Sequence, residues 1–172
     1  PGLAKGWRLG QGKAMVPFSF AGEEWLLLPS GALFSPRENW VVVAEIATDL
    51  ISTYRFDRKS GALTLHDVAH GQEGGGPRHL VWSPDGRFLC SSDEHGSQAS
   101  AWSWDERTGK AQLRQTLSTL PADFKARNTT AHIAIHPSGR SLWVSNRGHP
   151  SIACFRIDQT TGLMTAAGHA PS

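Results

Sequence analysis

The stretch that decides the fold reads Pro77-Arg78-His79-Leu80-Val81-Trp82-Ser83-Pro84-Asp85-Gly86-Arg87-Phe88-Leu89-Cys90. A short apolar run at 80–82 leads into Ser-Pro-Asp-Gly, where proline presets φ for a tight turn and glycine accepts the positive φ that the turn needs. A second apolar run follows at 88–90, so the stretch predicts a β-hairpin. Further on, residues 99–104 alternate so that Trp102 and Trp104 share one face, which is the periodicity of a third strand.

The same unit recurs along the chain. Two sets of turn residues keep one register, advancing by 48 and then 53 residues: Pro36, Pro84 and Pro137 in the first set, and Asp57, Asp105 and Asp158 in the second. Repeats of about 40 to 50 residues, each with four short strands, are typical of β-propeller blades. The sequence therefore predicts an all-β fold, a β-propeller fragment of about three four-stranded blades.

The predicted blades span 30–77, 78–130 and 131–172, and a divergent N-terminal segment, 1–29, precedes them. We expect two short strands in 1–29, strands at 32–34, 40–44, 51–56 and 63–68 in the first blade, and strands at 132–135, 141–145, 152–157 and 163–167 in the third. Where the other two hairpins have Asp-Gly and Ser-Gly, the first blade has Arg37-Glu38, which predicts a different turn there. An insertion at 120–128 is expected to lie over one end of the ring.

Composition argues against several classes of partner. The formal net charge is +2, from 17 basic and 15 acidic residues without a run of either sign, so we expect neither nucleic acid nor an anionic membrane as a partner. No stretch approaches the roughly 18 apolar residues of a membrane span, and residues 1–12 lack the apolar run of a signal peptide.

The only cysteines are Cys90 and Cys154, which we expect to be free thiols. Their scarcity favours a reducing compartment, so we expect a cytoplasmic protein.

Three blades leave the ring open, because an ordinary propeller closes with at least four. Neighbouring blades normally cover the apolar faces that the end blades would expose, much as terminal repeats need caps in a solenoid. The chain also starts without an initiating methionine. We therefore expect either a larger parent protein, or association of several copies through open blade edges, or a capping role for residues 1–29.

Four runs in the sequence resemble those of one family. They are Gly76-Pro77-Arg78-His79, Ser83-Pro84-Asp85-Gly86-Arg87, Leu120-Pro121-Ala122-Asp123-Phe124 and Ser145-Asn146-Arg147-Gly148-His149-Pro150-Ser151-Ile152. Pro-Asp-Gly alone is common to many propellers, whereas Ser-Asn-Arg-Gly-His downstream of Gly-Pro-Arg-His is distinctive. On these runs the chain resembles the lactonase family of seven-bladed propellers, of the 6-phosphogluconolactonase and carboxy-cis,cis-muconate cyclase type. The resemblance covers about residues 31–172.

The resemblance implies a cluster of basic and acidic residues at one end of the central channel, with Arg78, Glu94 and Arg147 as catalytic residues. Counting along the repeat agrees, because Glu94 and Arg147 each lie ten residues after the turn proline of their blade and should face one space. His79 and His132 likewise each lie five residues before theirs.

The resemblance also implies that His79, Asn146 and His149 bind the substrate and that no metal or cofactor is required. One departure from the family pattern stands at the start of the first blade, where Ser30 occupies the place of a usual histidine.

Opening a lactone needs groups that bind oxyanions and a base for water. Arginine suits the first task because its planar guanidinium stays charged and binds oxyanions bidentately, which favours Arg78 and Arg147. Glu94 would be the general base. The expected substrate is a small anionic lactone, either a sugar lactone such as 6-phosphogluconolactone or a carboxymuconate or muconolactone. One alternative is a non-catalytic fragment that acts as a binding or self-association module through its blade edges, and another is a truncated gene product with no function of its own.

Other chemistries find little support in the sequence. No Gly-x-Ser-x-Gly elbow is present, and no spacing of His and Cys predicts a metal site. The seven tryptophans are interpreted as core residues rather than as a stacking platform for bases. The histidines outside the quoted motifs are interpreted as structural: His66, His70, His95, His132, His136 and His169.

Overall fold

The computed structural model describes the backbone of residues 16–20, 23–27 and 29–172, and side chains from residue 30 onward. All regular secondary structure among the described residues is β-strand. Strands β1 (Val16–Phe20) and β2 (Glu23–Leu27) pair as an antiparallel hairpin, which confirms the two strands expected in this segment. The Gly-rich start of the chain, 1–12, lies outside the described residues.

The remaining strands form three four-stranded antiparallel sheets, each with its strands in sequence order, which confirms the predicted propeller blades. Blade one comprises β3 (Pro29–Phe34), β4 (Trp40–Glu45), β5 (Leu50–Phe56) and β6 (Leu63–His70). Blade two comprises β7 (Pro77–Trp82), β8 (Phe88–Asp93), β9 (Gln98–Asp105) and β10 (Lys110–Ser118). Blade three comprises β11 (Thr130–Ile135), β12 (Ser141–Asn146), β13 (Ser151–Ile157) and β14 (Met164–Pro171).

Two apolar cores lie between blades, and blade two contributes to both, whereas a third, smaller cluster around Tyr54 belongs to blade one alone. Successive residues of a strand face opposite sides of its sheet. Leu89 therefore packs toward blade one, with Trp40, Val42 and Trp102, whereas Cys90 packs toward blade three. Both cysteines are free, as expected, and burial raises the pKa of the Cys90 thiol to about 12.

The first hairpin turn corrects the prediction made from Arg37-Glu38, because it is the same turn as in the other two blades. The amide of Glu38 donates to the Ser35 carbonyl at 2.8 Å, as the amide of Gly86 donates to Ser83. Glu38 takes φ of 55°, close to the 70° of Gly86. Strand pairing on both sides fixes the turn, so glutamate is held in a left-handed conformation that costs an L-residue about 1 to 2 kcal/mol.

The blades have two distinct ends. The turn end carries the hairpins opened by the turn prolines and the Asp turns between the third and fourth strands. The other end, called here the channel end, carries the start of each first strand, the end of each second strand and the connection between blades. The insertion 120–128 lies at the channel end, where Asn128 contacts the loop after β12. No described helix is long and apolar enough to span a membrane.

Candidate active site

Glu94 and Arg147 are the first residues beyond equivalent strands, β8 and β12, of neighbouring blades. The residue before each, Asp93 or Asn146, is buried. Glu94 and Arg147 themselves lie beyond the last paired residue of each strand, at the channel end. The two meet there, with Nη1 of Arg147 at 3.0 Å from Oε1 of Glu94. The pairing predicted from the repeat is thus present in the structure.

Arg78 completes the cluster from the start of β7. Its Nε lies 2.6 Å from Oε2 of Glu94, so that each carboxylate oxygen of Glu94 is held by a different guanidinium. The Glu94 side chain is 17% exposed, Arg78 is 25% exposed and Arg147 is 46% exposed. The two guanidiniums and one carboxylate give the cluster itself one net positive charge, which suits an anionic ligand.

A β-bulge lets Arg78 and its neighbour His79 contribute together. Pro77 pairs with Asp93 and His79 with Ser92, so Arg78 is an extra residue in its strand. Bulges of this kind re-aim side chains and are common beside active sites. The corresponding part of β11 is also irregular, between Thr130 and Ile133, which is where His132 lies.

His79 and His132 form a pair beside the arginines. Their Nδ1 atoms are 3.4 Å apart, and the rings meet edge to face with centroids at 5.4 Å. Nη1 of Arg78 lies 3.3 and 3.5 Å from the two nitrogens of His79, which places the guanidinium over the ring face rather than in its plane. Burial, followed by the charges of Arg78, His132 and Arg147, lowers the pKa of His79, so its imidazole is neutral at pH 7.

The structure adds His132 to the residues at this cluster, although the sequence analysis left it out of the candidate site. It was interpreted as structural, although its position five residues before the turn proline matches that of His79. The signal was present in the repeat count. Its side chain is exposed at the channel end, in contact with His79.

The structure does not bring Asn146 to the cluster. Its side chain is buried and its hydrogen-bonding capacity is used internally, by Asn128 and Thr119 at Oδ1 and by the Thr119 carbonyl and Ser151 at Nδ2. Asn146 is equivalent in the repeat to the buried Glu45 and Asp93. Its place is therefore that of a structural polar residue, which corrects its assignment to substrate binding.

His149 also lies in other surroundings. Its ring packs edge to face on Phe124 of the insertion, with centroids at 4.8 Å, and faces His169 at 5.9 Å. Its Nδ1 is 2.6 Å from the Ser151 hydroxyl. These contacts hold the insertion against blade three, and they account for His149 without a substrate.

Blade one has no counterpart to the cluster. The positions equivalent to His79 and Glu94 are Gly31 and Ile46. A Cβ atom on Gly31 would lie 2.7 Å from the carbonyl oxygen of Arg78, so a glycine is needed for blade one to approach the strand that carries Arg78. Ser30, beside it, leaves the cluster without the histidine of the family pattern.

Two surface clefts lie at the turn end, away from the cluster. One is lined by Arg37, Arg87 and Glu106, and another by Trp40, Arg55 and His66. Both are open grooves between blades one and two. The cluster is preferred as the candidate site because both oxygens of one largely buried carboxylate are held there by guanidiniums from two blades. Within the described residues, no three side chains of His, Cys, Asp or Glu lie close enough together to hold a metal ion.

Comparison with known proteins shows the family. The family described as lactonase, 7-bladed beta-propeller, matches residues 31–172. The chain therefore belongs to the lactonase family of seven-bladed β-propellers.

Relatives and solved structures agree with this membership. The 6-phosphogluconolactonase of Bacillus subtilis (strain 168) is 31% identical over 129 residues, which are 75% of this chain and 36% of that protein. A solved protein from Lactobacillus plantarum is 31% identical with a TM-score of 0.77, covering 81% of this chain and 40% of that one. The periplasmic gluconolactonase of Pseudomonas aeruginosa shares the fold, with a TM-score of 0.75 at 24% identity over 81% of this chain and 40% of that one. The chain thus spans less than half the length of these relatives.

Proposed function

We propose that this chain is the part of a lactonase that carries the catalytic cluster, and that the protein hydrolyses an anionic sugar lactone such as 6-phosphogluconolactone. The observation that carries the proposal is the carboxylate of Glu94 held between guanidiniums from two blades. A carboxylate can accept a proton from water, and a guanidinium can bind both a substrate anion and a developing oxyanion.

The two arginines differ in how firmly they are held. Arg78 is more buried, stacks on His79 and donates to the Ala131 carbonyl at 3.2 Å. Arg147 is more exposed and follows the end of its strand. We therefore assign substrate binding to Arg147. The bound substrate displaces Arg147 from Glu94, whereas Arg78 stays beside the Glu94 carboxylate.

The proposed hydrolysis needs only the lactone and one water molecule. Glu94 takes a proton from water, and the oxygen of that water bonds to the lactone carbonyl carbon while Arg147 stabilises the developing oxyanion. Collapse of the tetrahedral intermediate breaks the bond to the ring oxygen. Glu94 returns the proton to that leaving oxygen, which gives the open hydroxy acid. Neutral His79 can hydrogen-bond a substrate hydroxyl beside the reacting carbon.

Two further features of the proposal rest on the names of relatives and on composition. The relatives named 6-phosphogluconolactonase favour a sugar lactone over a muconolactone. The low cysteine count favours the cytoplasm, whereas one structural relative is named periplasmic.

The proposal is tested by lactone turnover with matched charge controls. Glu94→Gln and Arg147→Ala should each lower kcat at least about 100-fold, because each removes a group that acts on the reacting atoms. Glu38→Gln at the turn end and Arg114→Ala on the outer strand β10 should leave kcat within about twofold, because neither side chain lies at the channel end. The substrates are 6-phosphogluconolactone, δ-gluconolactone and a muconolactone.

Faster turnover of the muconolactone would replace the sugar lactone as substrate. A folded wild-type chain that opens none of the three would contradict the proposal and leave the binding or self-association module, which light scattering would detect as an assembly.

A further inference from the structure

A short segment of the connection between blades two and three, residues 128–130, lies between the main chains of Glu94 and Arg147. The amide of Thr130 donates to the Glu94 carbonyl at 3.3 Å, and the amide of Arg147 donates to the Thr129 carbonyl at 2.9 Å. The two residues whose side chains form the ion pair thus share one intervening segment. Movement of this segment would change the distance between them.

Asn128 at the start of the segment bonds the loop that follows Arg147. Its Oδ1 accepts the amides of Gly148 at 2.8 Å and His149 at 3.0 Å. Since backbone amides only donate, the orientation of the side-chain amide is settled. A Cβ on Gly148 would lie 2.1 Å from the Arg127 carbonyl oxygen, so glycine is required where the segment passes this loop.

The other side of the Asn128 amide bonds the loop that follows Glu94. Nδ2 donates to the Ser97 hydroxyl at 3.0 Å, and Ser97 is buried with φ of 52°. Nδ2 also donates to Oδ1 of Asn146 at 3.0 Å, and the Asn146 side chain is fixed in turn because its own Nδ2 donates to the Thr119 carbonyl. One side chain therefore ties together the loops that carry Glu94 and Arg147 and anchors both to a buried polar network.

We propose that Asn128 is a positioning residue that sets the geometry of Arg147 against Glu94. The proposal rests on the proposed function of the cluster, because the geometry matters for turnover only if these side chains act on a lactone. A misplacement of about 1 Å can cost about 100-fold in rate. We expect loss of the Asn128 hydrogen bonds to the loop after Arg147 to lower the rate through such a displacement of the Arg147 side chain.

The test compares Asn128→Ala and Asn128→Asp with Lys125→Ala, an exposed position in the same connection. Asn128→Ala should lower kcat on neutral δ-gluconolactone about 10- to 100-fold with KM within twofold. Asp keeps the acceptor for Gly148 and His149 but loses both donor contacts, so it should recover part of the lost kcat. Lys125→Ala should behave as wild type.

A second readout does not depend on activity. It is the coupling free energy between Glu94 and Arg147, obtained from a double-mutant cycle of Glu94→Gln and Arg147→Ala by urea unfolding. The cycle is measured once with Asn128 present and once in the Asn128→Ala variant. The coupling should fall by at least half in the Ala background.

The outcomes separate positioning from a structural role. If Asn128→Ala lowers only the unfolding midpoint and leaves kcat and the coupling unchanged, the proposal is overturned. The proposal is also overturned if kcat of Asn128→Asp is no higher than that of Asn128→Ala. On stability alone Asp should be the worse substitution, because a half-buried carboxylate would face Oδ1 of Asn146. A wild-type chain without turnover would overturn the proposed function, and the coupling would then decide on Asn128 alone.

Discussion

Asp93 and Glu94 are adjacent carboxyls in opposite environments. Asp93 is 2% exposed and receives hydrogen bonds from the hydroxyls of Ser91 and Ser100. Burial raises its pKa from 3.8 to about 6, which the two serine hydrogen bonds oppose and the charge of Asp49 reinforces. At neutral pH the protein therefore holds a buried charge at a cost in stability.

Replacing that carboxyl by an amide should stabilise the protein in a pH-dependent way. Between about pH 4 and pH 6 native Asp93 keeps a proton that the unfolded chain has released, so its contribution to stability falls as pH rises and is constant above pH 6. Asp93→Asn should thus be more stable than wild type by up to about 3 kcal/mol at pH 7, and the difference should vanish below pH 4. Urea unfolding of both proteins from pH 4 to pH 7 measures it, and a difference independent of pH would contradict the assignment.

At this scale the repeat predicted much of the site, and strand geometry explains the rest. Counting from the turn prolines placed Glu94 beside Arg147 and His79 beside His132. The motif match placed Asn146 with them, but a pleated strand turns neighbouring side chains to opposite sides, so Asn146 is buried. The bulge that turns both Arg78 and His79 toward the channel has no marker in the sequence.

The turns between third and fourth strands are built alike in the three blades. Each opens with an aspartate that accepts backbone amides two and three residues ahead. These hydrogen bonds hold the pKa of Asp57 and Asp158 below its usual value, and at Asp105 the Thr108 side chain, followed by the backbone amides, lowers the pKa. Each contains a glycine with φ between 66° and 73°: Gly61, Gly109 and Gly162. A Cβ on Gly109 would lie 2.6 Å from the Trp40 indole, and one on Gly162 would lie 2.3 Å from Phe88, whereas Gly61 faces open space.

These glycines provide a matched test of packing between blades. Gly61→Ala should cost only the left-handed conformation, about 1 to 2 kcal/mol. Gly109→Ala and Gly162→Ala should each cost about 1 to 3 kcal/mol more, because the new methyl group must displace an aromatic ring of the preceding blade. Urea unfolding of the three variants measures the difference. Equal losses would show that the turns do not pack against the neighbouring blade as described.

The hairpin turns show what local sequence does and does not determine. Asp85-Gly86 predicted its turn correctly, because proline and glycine favour the required φ values themselves. Arg37-Glu38 has no such preference, yet Ser35 and Trp40 pair across it with an amide-to-carbonyl distance of 2.9 Å, as Ser83 and Phe88 do in blade two. The strands on either side, which the local residues do not reveal, decide that turn.

On the scale of the whole molecule, blade two joins two cores that share no residue. Leu89 is fully buried in the core between blades one and two, and Leu142 is fully buried in the core between blades two and three. The repeat predicted three sheets. It did not predict which side chains meet between them, since those contacts depend on how neighbouring sheets are inclined.

The two cores allow the cooperativity of the fold to be measured. Leu89→Ala and Leu142→Ala should each cost about 2 to 5 kcal/mol, as usual for a fully buried leucine. Because both cores include blade two, we expect each variant to lower the urea midpoint while the slope m stays constant. A smaller m, or a second transition, in either variant would show that one blade unfolds separately.

The separation of the turn end from the channel end has a consequence for how such a protein can change. The Asp turns, including the one that contains Gly61, face away from Arg78, Glu94 and Arg147. Insertions or substitutions at that rim therefore leave these three side chains undisturbed. Sequence changes can therefore accumulate at one rim while the opposite rim keeps its cluster of charges.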